Sequence, residues 1–368
     1  MMSYLLKKYY LLLTMGFAGC SSLLNDPPVT YTYKAPEQIA DGWTVASLSS
    51  QQMNPKPIEQ LTDQIVSEQY RNIHSLLIVR NGKLVYENYF NGYSDLIPEN
   101  IYSATKTFTS ALIGIALDQK LIKSLDEKVV DYFPQESPLP NLTPAKQQIT
   151  IRDLLTMSSG LECADDDPQS PGNEAKMYQS TDWIRYTLSL PMKTTPGTES
   201  NYCTGGVAVL GGILQRATGK TVDEFAQENL WKPLNITPIR WDRMPTGQVN
   251  TSGRMFIRPR DMAKLGQLFL NKGQWEGKQI ISADWVNEST RKQVILRDQG
   301  YGYLWWRREF NYNNKMYPAY YASGNGGNFI VVLPTENLVV VSTAGNLNSG
   351  IGAQIFGMIR FQIITALL

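Results

Sequence analysis

The chain carries one histidine, His74, in 368 residues. That scarcity excludes metal centres built on several imidazoles and leaves one candidate base for any Ser-His-Asp triad. His74 opens a β-rich run, His74-Ser75-Leu76-Leu77-Ile78-Val79, where a structural role is expected. A serine enzyme on this chain therefore has to find its base elsewhere. Charge is sparse too: charged residues make up 18% of the chain, the formal net charge is +1, and there is no basic run. Nucleic acid is not an expected partner. The adjacent Asp165, Asp166 and Asp167 lack the spacing of a calcium loop and read as a solvated turn. No metal or other cofactor is expected. What the chain does have is apolar mass: 42% hydrophobic residues suffice for one large domain or two interleaved ones.

The chain is organised around Ile101-Tyr102-Ser103-Ala104-Thr105-Lys106 and the apolar run that follows to about Leu117. Phe108, Leu112, Ile115 and Ala116 recur at the spacing of one buried helix face. Ser103 then falls at the helix start, with Lys106 one turn on and on the same side. As a mere surface cation, Lys106 would oppose the helix dipole, which favours a carboxylate there by ~0.3–1 kcal/mol. The same dipole and a dry site favour a neutral amine, able to take the serine's proton, while helix-end N–H groups stabilise an oxyanion. A second S-x-x-K, Ser289-Thr290-Arg291-Lys292, lies in a polar stretch with no long apolar run behind it and reads as a solvated helix end or loop.

Around that segment the pattern predicts an α+β fold. A helix is expected over 58–70, then a hairpin of 76–80 and 83–90 joined by Asn81-Gly82, a type I′ turn signal. Residues from 101 to about 299 read as mainly helical with long loops, including a short helix over 149–161 stopped at Gly160. Strands return at 302–306, 329–333 and 338–342, and the apolar 351–368 is expected as a helix packed on the sheet. The expectation is an antiparallel sheet built from N- and C-terminal segments, flanked by helices, with a helical insertion at about 107–299.

The first 19 residues read as a signal segment: Lys7 and Lys8, then an apolar stretch too short to span a bilayer. Phe17-Ala18-Gly19-Cys20 resembles the lipobox of bacterial lipoproteins. The resemblance implies lipidation of Cys20, a membrane attachment through that anchor and, with Ser21 and Ser22 following, the outer membrane facing the periplasm. Residues 20–57 read as a tether and 58–368 as the catalytic domain.

With its pieces in this order, the chain resembles the serine β-lactamase and penicillin-binding-protein superfamily. It is most similar to the class C-like branch of esterases, D-amino-acid peptidases and 6-aminohexanoate-dimer hydrolases. The landmarks are the hairpin, Ser103-Ala104-Thr105-Lys106, Ser158-Ser159-Gly160-Leu161, Pro196-Gly197, Asn201-Tyr202-Cys203-Thr204, Arg260-Asp261-Met262 and Tyr301-Gly302-Tyr303. The resemblance implies catalysis by Ser103, Lys106 and Tyr202, with Thr204 where the branch carries asparagine. The third motif aligns with Ser323-Gly324-Asn325-Gly326-Gly327-Asn328. It implies an oxyanion hole from the N–H groups of Ser103 and Asn328, and substrate contacts from Asn325, Gly326, Gly327 and Thr204. Asn325 stands where a lysine or histidine is usual, so no cation for a substrate carboxylate is expected at that position.

These departures point away from an efficient β-lactamase and toward a small neutral ester or amide. Trp183, Trp305, Trp306 and Tyr178 are candidate pocket walls, or plain core. The expected function is a serine hydrolase working through an acyl-enzyme on Ser103. The alternative is a catalytically silent envelope lipoprotein on the same fold, which has no physical need of the serine, lysine and tyrosine together. With Cys20 assigned to the lipobox, Cys163 and Cys203 remain, and outside the cytoplasm a disulfide between them is expected. Two buried free thiols acting as small hydrophobes are the alternative.

Overall fold

The computed structural model describes residues 30–134, 139–236 and 240–368. The expected signal segment and Cys20 lie outside the described residues. From Tyr31 to Leu368 the chain forms one unit. Its frame is an eight-stranded antiparallel sheet of β1 (Ile73–Arg80), β2 (Lys83–Tyr89), β3 (Val294–Leu296), β4 (Gln299–Tyr301), β5 (Trp306–Tyr312), β6 (Lys315–Gly324), β7 (Asn328–Leu333) and β8 (Leu338–Ala344). The spatial order is β2-β1-β8-β7-β6-β5-β4-β3, so the N-terminal hairpin completes a sheet begun by the C-terminal strands. This is the expected α+β architecture. The hairpin closes through Asn81 (φ 52°) and Gly82 (φ 75°), the double left-handed turn that this pair favours.

The sheet centre is apolar on both faces: β7 and β8 are buried along their whole length. In register, Val331 faces Val340 and Val332 faces Val339. Residues buried on both faces lose the polar–apolar alternation of a half-exposed strand. Five helices matter for the site and its supports: α1 (Pro55–Val66), α2 (Thr105–Asp118), α3 (Ile151–Leu155), α4 (Thr204–Thr218) and α5 (Pro259–Leu270). On α5, Gly266 lets the helix lie on the sheet, since a Cβ there would come within 2.5 Å of Val339. In α2, every residue from Thr105 to Ala116 is buried, so it is a central helix rather than the one-faced helix that the spacing suggested. Packing against both α4 and β6 accounts for the difference.

Several expectations shift at their edges. From Tyr31 on, the stretch expected as a tether is packed: Trp43 is buried and donates from Nε1 to the Arg260 carbonyl oxygen. Arg260 in turn binds Asp41 and both carboxylate oxygens of Glu87. The helix over 149–161 ends at Leu155, because Met157 takes φ 60° before Gly160 is reached. The strand expected at 302–306 is a turn between β4 and β5, with Leu304 at φ 64° and the Tyr303 N–H held by the Ser289 carbonyl. Ser289 itself is buried at the end of a helix, Ala283–Thr290, and Lys292 lies exposed beyond it. The C-terminal stretch Gly350–Leu367 is long and apolar enough by composition to cross a membrane. Among the described residues it packs beside α1: the Asn54 N–H donates to the Ala366 carbonyl, and Gln362 bonds Gln64.

Candidate active site

The site grows from the turn that starts α2. A 3-10 turn, Tyr102–Ala104, leads into the helix. Tyr102 is held at φ 47°, a left-handed conformation costly for a residue with a Cβ. It is pinned from both sides: its N–H donates to Asn100 Oδ1 at 3.0 Å, and its carbonyl accepts from Thr105 Oγ1 at 2.6 Å. This kink presents Ser103 to a cleft, while Lys106, one turn on, is 2% exposed. Lys106 Nζ donates to Ser103 Oγ at 3.1 Å and to the Ser252 carbonyl at 2.7 Å. Its Nζ also lies 5.1 Å from the centre of the Tyr202 ring. The structure therefore brings together the serine, lysine and tyrosine expected from sequence.

Sequence reading missed the support beneath the lysine. Ser252 belongs to a buried loop fixed by Asn250, whose Oδ1 accepts both the N–H and the hydroxyl of Ser252 at 3.1 and 2.6 Å. A short sheet of Glu99–Asn100, Met255–Ile257 and Arg240–Trp241 runs that loop beside the Ser103 turn. No motif marks Ser252, because it acts through its backbone oxygen.

Tyr202 ends the loop before α4, and its position is set by a knot of contacts. Cys163 and Cys203 form a disulfide with Cα atoms 5.5 Å apart. The Asp165 N–H donates to the Tyr202 carbonyl at 2.8 Å, and the Thr204 N–H donates to Asp165 Oδ2 at 2.8 Å. Asp165 is thus no member of a solvated turn. Burial pushes its carboxyl up to about 6, with Thr204 and the Lys106 charge pulling the other way. On its open side Tyr202 stacks on Trp306, with ring centres 5.9 Å apart.

The opposite wall is the end of β6 and the turn after it, residues 323–327. Gly326 (φ 93°) and Gly327 (φ 111°) need glycine on conformational grounds alone. Asn325 is exposed and tied to Asn348, giving Nδ2–H to its Oδ1 at 2.7 Å and taking the Asn348 N–H at 2.9 Å. One sequence expectation, the substrate contact from Thr204, changes here. Thr204 is buried at the start of α4, behind the wall. Asn328 is buried too, its Nδ2 donating to the Asn325 carbonyl at 2.7 Å, and it faces a separate cavity that contains His74. The motif turn is tight enough to send residue 328 into the sheet. Of the aromatic candidates, Trp306 lines the cleft, Trp305 is core against Phe269 and Tyr320, and Trp183 pairs with Tyr178.

His74 does not reach the site. Its Nδ1 lies 2.5 Å from Glu99 Oε2, its ring stacks on Tyr93 at 3.8 Å, and Thr343 Oγ1 donates to the other Glu99 oxygen. Among the described residues no cluster of three or more metal-ligating side chains occurs.

Ser103 and Lys106 thus stand one turn apart, between an antiparallel sheet and a helical lobe. Residues 58–347 match the family model described as Beta-lactamase, and the chain belongs to that family. It is similar to "Beta-lactamase-like protein 2" of Dictyostelium discoideum, 26% identical over 54% of this chain and 40% of that one. It is similar also to the 6-aminohexanoate-dimer hydrolase of Paenarthrobacter ureafaciens, 24% identical over 62% of this chain and 60% of that one. The chain thus spans 40% and 60% of the length of these curated relatives. A class C beta-lactamase structure from Rhodobacter sphaeroides shares the fold with a TM-score of 0.64 at 15% identity, covering 86% of this chain and 100% of that one. The family is one of hydrolases that include esterases, amidases and carboxypeptidases.

Proposed function

We propose that this protein is a serine hydrolase that cleaves an ester or amide bond of a small molecule through an acyl-enzyme on Ser103. The observation that carries this reading is the buried Lys106 amine, 3.1 Å from Ser103 Oγ and beside the Tyr202 ring. Ser103 Oγ attacks the carbonyl carbon, and its proton passes to the Lys106–Tyr202 pair. The carbonyl π electrons move onto oxygen, where backbone N–H groups stabilise the charge. One donor is the N–H of Ser103, and the second comes from the β6 end and the turn after it, where Gly324 lies against the turn that carries Ser103. Collapse of the intermediate breaks the bond to the leaving alcohol or amine, which takes the proton back. Water then releases the acid by the reverse route.

A neutral Asn325–Asn348 pair stands where a cation would grip the carboxylate of a β-lactam, which supports a substrate other than a β-lactam. The disulfide supports a location in an oxidising compartment, consistent with export and an anchor on Cys20. Acid-quenching p-nitrophenyl butyrate turnover in its first turnovers tests the mechanism. The expected result is a butyryl adduct on the peptide holding Ser103; turnover with no such adduct removes the acyl-enzyme.

A further inference from the structure

Arg297 enters the cleft from a direction that the sequence motifs do not mark. It sits at the tip of the β3–β4 hairpin, where Arg297 (φ 49°) and Asp298 (φ 59°) make a double left-handed turn. That turn lays the guanidinium over Tyr202, with Cζ 4.2 Å from its ring centre and 5.9 Å from that of Trp306. Arg297 lines the same cleft as Ser103. It also lines a neighbouring groove of about 590 Å³, where Lys292, Arg307 and Arg308 face the two acids Asp298 and Glu309. Gly300 lets the stems of Arg307 and Lys292 lie close to this strand, since a Cβ there would come within 3.2 Å of Arg307 and 3.4 Å of Lys292. Arg297 is thus shared by the catalytic cleft and a groove whose lining cations outnumber its carboxylates.

We propose that the substrate bears a carboxylate, and that Arg297 is the residue that selects it, with the basic groove holding an anionic extension of the same molecule. The proposal rests on the hydrolase reading and deepens it, since it replaces the neutral substrate expected from Asn325 alone. At present the guanidinium is paired with Asp166 through Nε and Nη2, leaving Nη1 outside the pair. The pair is half open to solvent, with 39% of the arginine and 61% of the aspartate side chain exposed. Exposed pairs of this kind hold weakly, so a substrate carboxylate can share or displace Asp166. Stacking on Tyr202 and Trp306 keeps the guanidinium plane fixed when the aspartate leaves.

The test is a ratio of kcat/KM values for matched esters with and without a carboxylate. One arm places it in the acyl half, p-nitrophenyl hemiglutarate against p-nitrophenyl valerate. The other places it in the leaving half, 3-carboxyphenyl against phenyl butyrate. The natural chain is expected to favour the anionic member by at least about tenfold in one arm, with the preference shrinking as salt is raised. Arg297→Gln should abolish that ratio, Arg297→Lys should keep part of it, and Asp166→Asn should increase it severalfold by removing the competing carboxylate. Because each readout is a ratio within one variant, a general loss of activity does not imitate it. Ester turnover with no charge preference in either arm, or a preference that survives Arg297→Gln, overturns the assignment and leaves the hydrolase reading intact. Absence of turnover on every ester and on the matching anilides, together with no labelling of Ser103 by a fluorophosphonate, removes both.

Discussion

Gly324 stands so close to Ile101 that a Cβ on it would lie 2.0 Å from the Ile101 carbonyl oxygen and 3.2 Å from the Ala104 nitrogen. Both obstacles are backbone, so no rotamer change relieves them. Gly324→Ala must therefore push the end of β6 away from the turn that carries Ser103. We expect a loss of about 1–3 kcal/mol of stability, as for other overpacked sites. Activity should fall by about a hundredfold, because a displacement on the order of 1 Å misaligns the cleft. Urea unfolding and ester kinetics on the same preparation check both effects. Full activity in this variant would show that β6 does not set the geometry of the site.

Asp165 gives the molecule a pH signature. Its carboxyl is raised from 3.8 to about 6, chiefly by burial, so the folded chain holds this proton more tightly than the unfolded chain. The stability it contributes is complete below about pH 4 and is lost as pH rises toward 6. Asp165→Asn removes the ionisation and keeps an oxygen for the Thr204 N–H. The variant's Tm should gain on that of the natural chain between pH 4 and 7, with a limit of about 3 kcal/mol. Parallel Tm curves across that range would contradict the burial argument.

The disulfide ties the Asp165 loop to the residue beside Tyr202 across 40 residues of sequence. Chain-entropy reasoning puts its contribution at about 4 kcal/mol. Reduction should lower activity at denaturant concentrations where the sheet is still intact, because the bridge fixes the loop behind Tyr202. Ester turnover and far-UV circular dichroism, followed together during reduction, separate the two events. Loss of both signals in step would place the bridge in the global fold alone.

His74 should be dispensable for chemistry. His74→Gln leaves Glu99 without its ring partner and is expected to cost on the order of 1–3 kcal/mol, while labelling of Ser103 by a fluorophosphonate continues. Loss of labelling in a folded His74→Gln protein would reinstate histidine as the base.

What was legible in the sequence was local or carried by motif order. Asn81-Gly82 announces its hairpin through the backbone of two residues, and Ser103 and Lys106 announce theirs by standing one helical turn apart. Tyr202 was reached through the order of the motifs. Other features were invisible because they depend on contacts far apart in the chain. Ser252 supports Lys106 from 146 residues away, and through a carbonyl that any residue could supply. Arg297 reaches Tyr202 only because a hairpin tip folds over it. The tether expectation failed for a related reason: Pro, Ser, Thr and Gln dominate that stretch, but Trp43 and Arg260 clamp it to α5 across 217 positions.

The most direct test of the account is the rate at which a fluorophosphonate labels the protein, read by intact mass and peptide mapping. A single adduct on Ser103 is expected, absent in Ser103→Ala and formed at least about a hundredfold more slowly in Lys106→Ala, in line with the usual contribution of a positioned base. Undiminished labelling or ester turnover in Ser103→Ala would contradict it.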